Sequence, residues 1–169
     1  MSTGYSKIEL EEIQHRWKLT FPPDLVALLR NQRPLGEGAG AFDWLTSSGE
    51  DIQGRLDWPF DSFLFDVEHD QLWWPEWGPR PESAHERRER LAKAFAEAPK
   101  LIPLFGHRYL PAEPCEAGNP VFSVYQSDVI YYGANLQDWL RREFGGWDAE
   151  PWPPIKRIRF WFETVERNG

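Results

Sequence analysis

Three apolar runs follow one another closely between residues 101 and 132, and they constrain the fold more than any other feature of the chain. The runs read LIPLF, NPVFSVY and DVIYY, and they are separated by the Pro, Gly and Asp residues that favour turns. Together they are rich in the β-branched and aromatic side chains that pack well on a pleated sheet. The sequence therefore predicts three strands in this region.

Helical patterns surround these strands. Ser6 followed by Glu9 is a capping-box pattern, and it predicts a first helix from about residue 7 to Trp17. The stretch FPPDLVALLRNQ predicts a second, short helix that ends near Gln32, with prolines at its entry. The loop PLGEGAG follows it.

The middle and later parts of the chain also predict helices. Apolar residues between Asp51 and Trp77 recur at helical spacing and end in a cluster of aromatic residues. The stretch SAHERRERLAKAFAEA is rich in strong helix formers, and NLQDWLRREF predicts a helix that begins at Asn135. One face of the SAHERRERLAKAFAEA helix carries Leu91, Phe95 and Ala98.

Two further stretches alternate between apolar and polar residues and predict short strands. AFDWL, with Phe42 and Trp44, is interpreted as the beginning of the sheet. IKRIRFWFETV is interpreted as a last strand with one buried face. The more apolar of its two faces carries Lys156, Ile158, Phe160 and Phe162.

Length and composition favour one globular domain that spans residues 1–169. A chain of 169 residues is of ordinary domain size, and 41% of its residues are hydrophobic. The formal net charge of -8 disfavours binding to nucleic acid or to anionic lipid. No apolar run is long enough to span a membrane, and the N-terminus lacks the pattern of a signal peptide, so we expect a cytoplasmic protein.

The sequence offers little support for catalysis. His107, with Asp128 further along the chain, is the strongest candidate for acid–base chemistry. However, no nucleophile elbow, zinc-protease motif or phosphate-binding glycine loop is present, and the single Cys115 has no electropositive neighbours in the sequence. We therefore expect no enzyme activity and no cofactor, and we interpret His107 as a residue packed at the end of a strand.

The acidic stretch DVEHD, residues 66–70, is the densest group of potential metal ligands. On a helix, Asp66 and Asp70 share one face, and the glycine that a calcium loop requires is missing. We interpret the stretch as a solvated helix face and predict no metal site.

The order of these elements resembles the SUKH superfamily, which includes bacterial toxin-immunity proteins and a domain of a yeast cell-wall assembly regulator. The resemblance rests on FPPDLVALL after an amphipathic helix, on LIPLFGHRYLP, and on GNPVFSVYQSDVIYYGANLQDWL. It is strongest from Leu101 to Phe144, and the middle of the chain from Ser47 to Pro99 offers little to match. The resemblance implies an α+β domain with a mostly antiparallel sheet and helices packed on it. It also implies a function in binding other proteins without catalysis.

The resemblance implies an immunity protein that neutralises a toxin domain, and the acidity of the chain favours a basic toxin. A regulatory or scaffold domain without a toxin partner stays open as an alternative, as does an enzyme that uses His107 and Asp128. The segment least explained by the fold is the acidic and aromatic middle, where tryptophans could pack into the core, serve as interface anchors or stack against sugar rings. We predict that the partner surface contains Asp66, Glu68, Asp70, Trp73, Trp74 and Trp77.

Overall fold

A four-stranded antiparallel sheet forms the centre of the fold. A computed structural model describes residues 3–146 and 151–168, and within them the strands follow the order β1-β2-β3-β4. The strands are β1 (Leu101–Phe105), β2 (Arg108–Pro111), β3 (Val121–Tyr125) and β4 (Asp128–Gly133). The three predicted strands are confirmed as β1, β3 and β4. The prediction missed β2, which pairs with β1 through a turn at Gly106, where φ is +52°.

Six α-helices within the described residues pack on this sheet. They are α1 (Lys7–Trp17), α2 (Pro23–Leu29), α3 (Gly49–His69), α4 (Ala84–Glu97), α5 (Leu136–Phe144) and α6 (Trp161–Asn168). A short 3-10 turn, Pro75–Trp77, follows α3. None of these helices is long and apolar enough to cross a membrane. The prediction of an α+β fold with a mostly antiparallel sheet is confirmed.

Local sequence signals account for several helix starts. The Ser6 hydroxyl accepts from the Glu9 amide while the Glu9 carboxylate accepts from the Ser6 amide, so the predicted capping box is formed. Side chains of Ser48, Ser83 and Asn135 accept a backbone N–H in the same way at the starts of α3, α4 and α5.

The sheet separates two hydrophobic cores because successive side chains of a strand point to opposite faces. Ile102 and Leu110 face one core, which they share with α1, α2 and α5. Tyr109 and Phe122 face the other core, which they share with Phe63 of α3 and with α4 and α6. Each core therefore combines helices that precede the sheet in the chain with a helix that follows it.

The predicted strand around Phe42 is wrong. The Asp43 carboxylate accepts hydrogen bonds from the amides of Leu45 and Thr46 and bends the chain into a turn. Phe42 and Trp44 are nevertheless buried, so their apolar character reflects core packing and not a strand.

The predicted last strand is also wrong. Residues 155–158 have no regular structure, and the chain then turns through Phe160, where φ is +70°, into α6. Within α6, Trp161 and Thr164 are buried three positions apart, which is helical and not alternating spacing. The Trp161 indole N–H donates to the Pro99 carbonyl at 2.9 Å and fixes α6 against the end of α4.

Candidate partner-binding groove

The acidic and aromatic segment from Asp66 to Trp77 runs from the last turn of α3 to the 3-10 turn. It passes beside α4 and α6, and Trp74 is only 7% exposed. The segment is therefore held by the second core on one side while its other side faces solvent.

Asp66 does not lie on a solvated face, which corrects the interpretation of the DVEHD stretch for this residue. Its side chain is buried, and Oδ2 accepts hydrogen bonds from the amide, at 2.8 Å, and the hydroxyl of Ser127. Oδ1 is buried without a hydrogen-bond partner among the described residues. Asp66 thus ties α3 to the turn between β3 and β4, and it is not available to a partner.

The other two acids of the stretch remain at the surface. Glu68 is half-buried and receives two hydrogen bonds from the Arg87 guanidinium, at 2.8 and 2.7 Å, and this pairing holds the pKa of Glu68 below its ordinary value. Asp70 is exposed at the C-terminal end of α3. Glu68 therefore already has a cationic partner within the protein, whereas Asp70 is free to contact another molecule.

The three tryptophans form one packed group. The rings of Trp74 and Trp77 stack with centroids 4.9 Å apart, and Trp73 meets Trp77 edge-on at 5.2 Å. Trp73 donates its indole N–H to the Gly78 carbonyl. Trp74 also packs on Phe160 at 5.3 Å, so it belongs to the core, whereas Trp73 and Trp77 are half-buried and keep an accessible side.

Trp77 forms part of the wall of a shallow groove between the 3-10 turn, α4 and α6. The groove has a volume of about 380 Å³, and Trp74 and Phe160 contribute further aromatic lining. Its charged lining consists of Glu76, Glu97, Glu163 and Arg159. Aromatic rings beside carboxylates suit a partner that presents apolar and cationic side chains.

Some charged side chains around this groove form ion pairs, and others do not. Glu76 binds Arg167, which also lies over the Trp74 ring at 4.1 Å. Arg159 binds Glu113 at 3.1 Å and the Glu97 carbonyl at 3.1 Å. Within the described residues, no basic side chain forms an ion pair with the carboxylates of Glu97 and Glu163. The groove therefore offers two unpaired carboxylates to a partner.

His107 lies at the turn between β1 and β2. Its ring stacks on Trp58 with centroids 4.7 Å apart, and Tyr125 approaches it edge-on at 5.7 Å. His107 is exposed at the surface, but partial desolvation of its ring lowers its pKa, and the nearby guanidinium groups of Arg108 and Arg55 lower it further. Its backbone carbonyl accepts from the Val124 amide, which places His107 at the end of the sheet.

Asp128 does not orient this histidine. It lies at the start of β4 opposite Tyr125, and in the part of the chain that the structure describes no hydrogen bond joins it to His107. A cleft of about 590 Å³ beside His107 is lined by Trp58, Tyr109 and Arg55, but Asp128 is not among its lining residues. The pairing of His107 with Asp128 is therefore not formed in this structure, and the acids that line the cleft beside His107 are Glu50 and Asp51.

Residues 3–146 and 151–168 contain no group of three or more His, Cys, Asp or Glu side chains that could hold a metal ion. Two acids of the DVEHD stretch have different partners, because Asp66 accepts from Ser127 and Glu68 accepts from Arg87.

Sequence reasoning missed the half of the groove that comes from α4 and α6. Glu163 and Phe160 lie in the segment that was predicted as a strand, so they could not be placed beside Trp77. Within α6, Trp161 and Thr164 are buried and Val165 packs against the same core, and this i, i+3, i+4 spacing is the helical signal.

Comparison with known proteins provides no relative. No protein-family model matches the chain, and neither a curated protein nor a solved structure is significantly similar to it.

Proposed function

We propose that this chain is a non-enzymatic protein-binding domain that acts as an immunity protein and neutralises a basic toxin domain. The observation that carries the proposal is the groove beside Trp77, in which aromatic rings adjoin the unpaired carboxylates of Glu97 and Glu163. The resemblance to the SUKH superfamily supports the same class of function.

The binding mode follows from the chemistry of this groove. Half-buried tryptophans are frequent anchors of protein interfaces because they bury a large apolar area with few rotatable bonds. Carboxylates at the rim attract a cationic surface and exclude an anionic one. The overall net charge of -8 acts in the same direction over longer distances.

The partner surface contains part of the segment predicted from the sequence. Asp70, Trp73 and Trp77 remain accessible, whereas Asp66 and Trp74 support the fold. Replacing Trp74 would therefore unfold part of the core, and Trp77 is the tryptophan whose substitution tests binding.

A binding experiment followed by a growth assay tests the proposal. Proteins encoded beside the gene are purified and tested for binding to the chain, and any toxic domain among them is expressed in cells with and without the chain. Binding together with restored growth supports the immunity function. Binding to a neighbour that is not toxic favours a scaffold domain, and no binding to any neighbour contradicts the proposal.

Substitution of Trp77 locates the surface. Trp77→Ala should weaken partner binding by about 2 kcal/mol or more if Trp77 is a central anchor. Phe65→Ala is the matched control, because Phe65 is an exposed aromatic side chain of α3, 46% accessible, outside the groove. Equal affinities for the two variants would place the interface elsewhere.

A further inference from the structure

A third cavity lies between the C-terminal end of α1, the middle of α3, α4 and the start of β1. Its volume is about 460 Å³, within the range of small-molecule sites. Apolar side chains from all of these elements line it, namely Trp17, Leu19, Leu56, Phe60, Phe95 and Leu101. The cavity is thus a concave apolar surface that a ligand with an apolar body can fill.

The charged residues of this cavity are all basic. Arg16, Lys18 and Lys100 line it, and no acidic residue does, although acidic residues outnumber basic ones in the chain by 27 to 19. Lys100 donates to the Lys18 carbonyl at 3.0 Å, so its ammonium group is held close to the end of α1. All three basic residues are exposed and can reach a ligand from the solvent side.

An unsatisfied donor provides an independent observation. The indole Nε1 of Trp17 is buried and has no hydrogen-bond partner among the described residues. A buried N–H without an acceptor is costly, and native structures pair nearly all such groups with protein, water or ligand. Trp17 also lines the cavity, so a ligand bound there lies next to the side chain that carries this donor.

We propose that this cavity binds a carboxylate that carries an apolar or aromatic body. The body packs against Phe60 and Leu56 beside the Trp17 ring, and the carboxylate lies among Arg16, Lys18 and Lys100. Charge-assisted hydrogen bonds make the carboxylate the stronger of the two recognition elements. The site is distinct from the acidic groove and does not depend on the function proposed for that groove.

Nuclear magnetic resonance of the ¹⁵N-labelled protein tests the site. The protein is titrated separately with phenylbutyrate and with its neutral analogue phenylbutanol. The Trp17→Phe variant identifies the indole resonance of Trp17. We expect phenylbutyrate to shift this resonance and to bind about tenfold or more tightly than the alcohol. Absence of binding up to millimolar concentrations, or equal binding of acid and alcohol, would overturn the proposal.

Two double variants identify the anion-binding residues. Lys18→Met with Lys100→Met should reduce phenylbutyrate affinity about fivefold or more, because both ammonium groups at the mouth are lost. Lys7→Met with Lys93→Met changes the net charge equally at exposed positions outside the cavity and should leave the affinity unchanged. Equal losses in both variants would show only a general charge effect and would contradict the assignment.

The same carboxylate chemistry occurs in free metabolites and at the C-terminus of a peptide. A parallel titration with N-acetyl-glycyl-phenylalanine and its C-terminal amide separates these sources. Tighter binding of the free-acid dipeptide than of phenylbutyrate assigns the site to a chain terminus, and the reverse order assigns it to a small carboxylate.

Discussion

At the scale of single residues, the surroundings of a side chain decide its role more than its type does. Asp66 and Asp70 lie one helical turn apart, yet Asp66 is buried against Ser127 whereas Asp70 is exposed. The sequence placed both on one solvated face, because the turn between β3 and β4 that covers Asp66 is distant in the chain. Tertiary contacts of this kind cannot be read from local spacing.

Substitution of these two acids should give different stabilities. Asp66→Ala removes the acceptor of the Ser127 amide and hydroxyl, so we expect it to lower the free energy of unfolding by about 1–3 kcal/mol. Asp70→Ala, the matched control at an exposed position, should change it by about 0.5 kcal/mol or less. Urea denaturation followed by circular dichroism measures both values, and similar losses would contradict the structural role of Asp66.

His107 should make stability depend on pH. Because partial desolvation, Arg108 and Arg55 lower its pKa in the folded state, the unfolded chain binds a proton first as the pH falls below about 6.5. The contribution of neutral His107 is therefore present above that pH and is lost as the pH falls through the lower pKa of the folded state.

The measurement compares the wild type with His107→Gln. Urea denaturation between about pH 8 and about pH 5 should show that the wild type loses more stability than the variant. Parallel pH profiles would contradict the lowered pKa. His107→Ala should lower stability modestly and leave partner binding intact, whereas loss of binding in a folded His107→Ala protein would assign His107 a functional role.

At the scale of elements, the sequence predicts those helices and strands whose signals are local. The capping box of Ser6 and Glu9 and the cap at Asn135 identify the starts of α1 and α5. The two wrongly predicted strands have local causes as well. Asp43 bends an alternating stretch into a turn by accepting backbone hydrogen bonds, and the apolar residues Ile158, Phe160 and Phe162 alternate across the point where irregular chain turns into α6.

The candidate groove was only half predictable for the same reason. The sequence identified Trp77 as a residue not explained by the fold, but Glu97 and Glu163 come from two other helices. Their proximity to Trp77 depends on α6 folding back onto α4 through the contact of Trp161 with Pro99. A spacing rule applied within one segment cannot predict that contact.

Helix α1 provides a test of its predicted amphipathic packing. Ile13 is 2% exposed in the first core, whereas Ile8 on the same helix is 68% exposed. We expect Ile13→Ala to cost about 2–5 kcal/mol of unfolding free energy because it leaves a cavity. Ile8→Ala should cost about 0.5 kcal/mol or less. Urea denaturation of both variants checks this, and comparable losses would contradict the orientation of α1.

At the scale of the whole molecule, the net charge of -8 should act on the rate of association. Attraction between an acidic domain and a basic partner accelerates their encounter, and salt screens it over about 8 to 10 Å near physiological ionic strength. The association rate constant, measured by stopped-flow fluorescence, should therefore fall as salt rises. A rate constant independent of salt would contradict electrostatic steering while leaving binding itself intact.

The most direct test of the proposed groove separates its local carboxylates from this overall charge. Glu97→Lys with Glu163→Lys reverses two charges in the groove, and Glu11→Lys with Glu12→Lys reverses two exposed charges on α1, so both double variants have the same net charge. Circular dichroism first establishes that both are folded, and isothermal titration calorimetry then gives their affinities for the captured partner. The account predicts a loss of about tenfold or more for the groove variant and a much smaller loss for the α1 variant. Equal affinities of the two variants would contradict it.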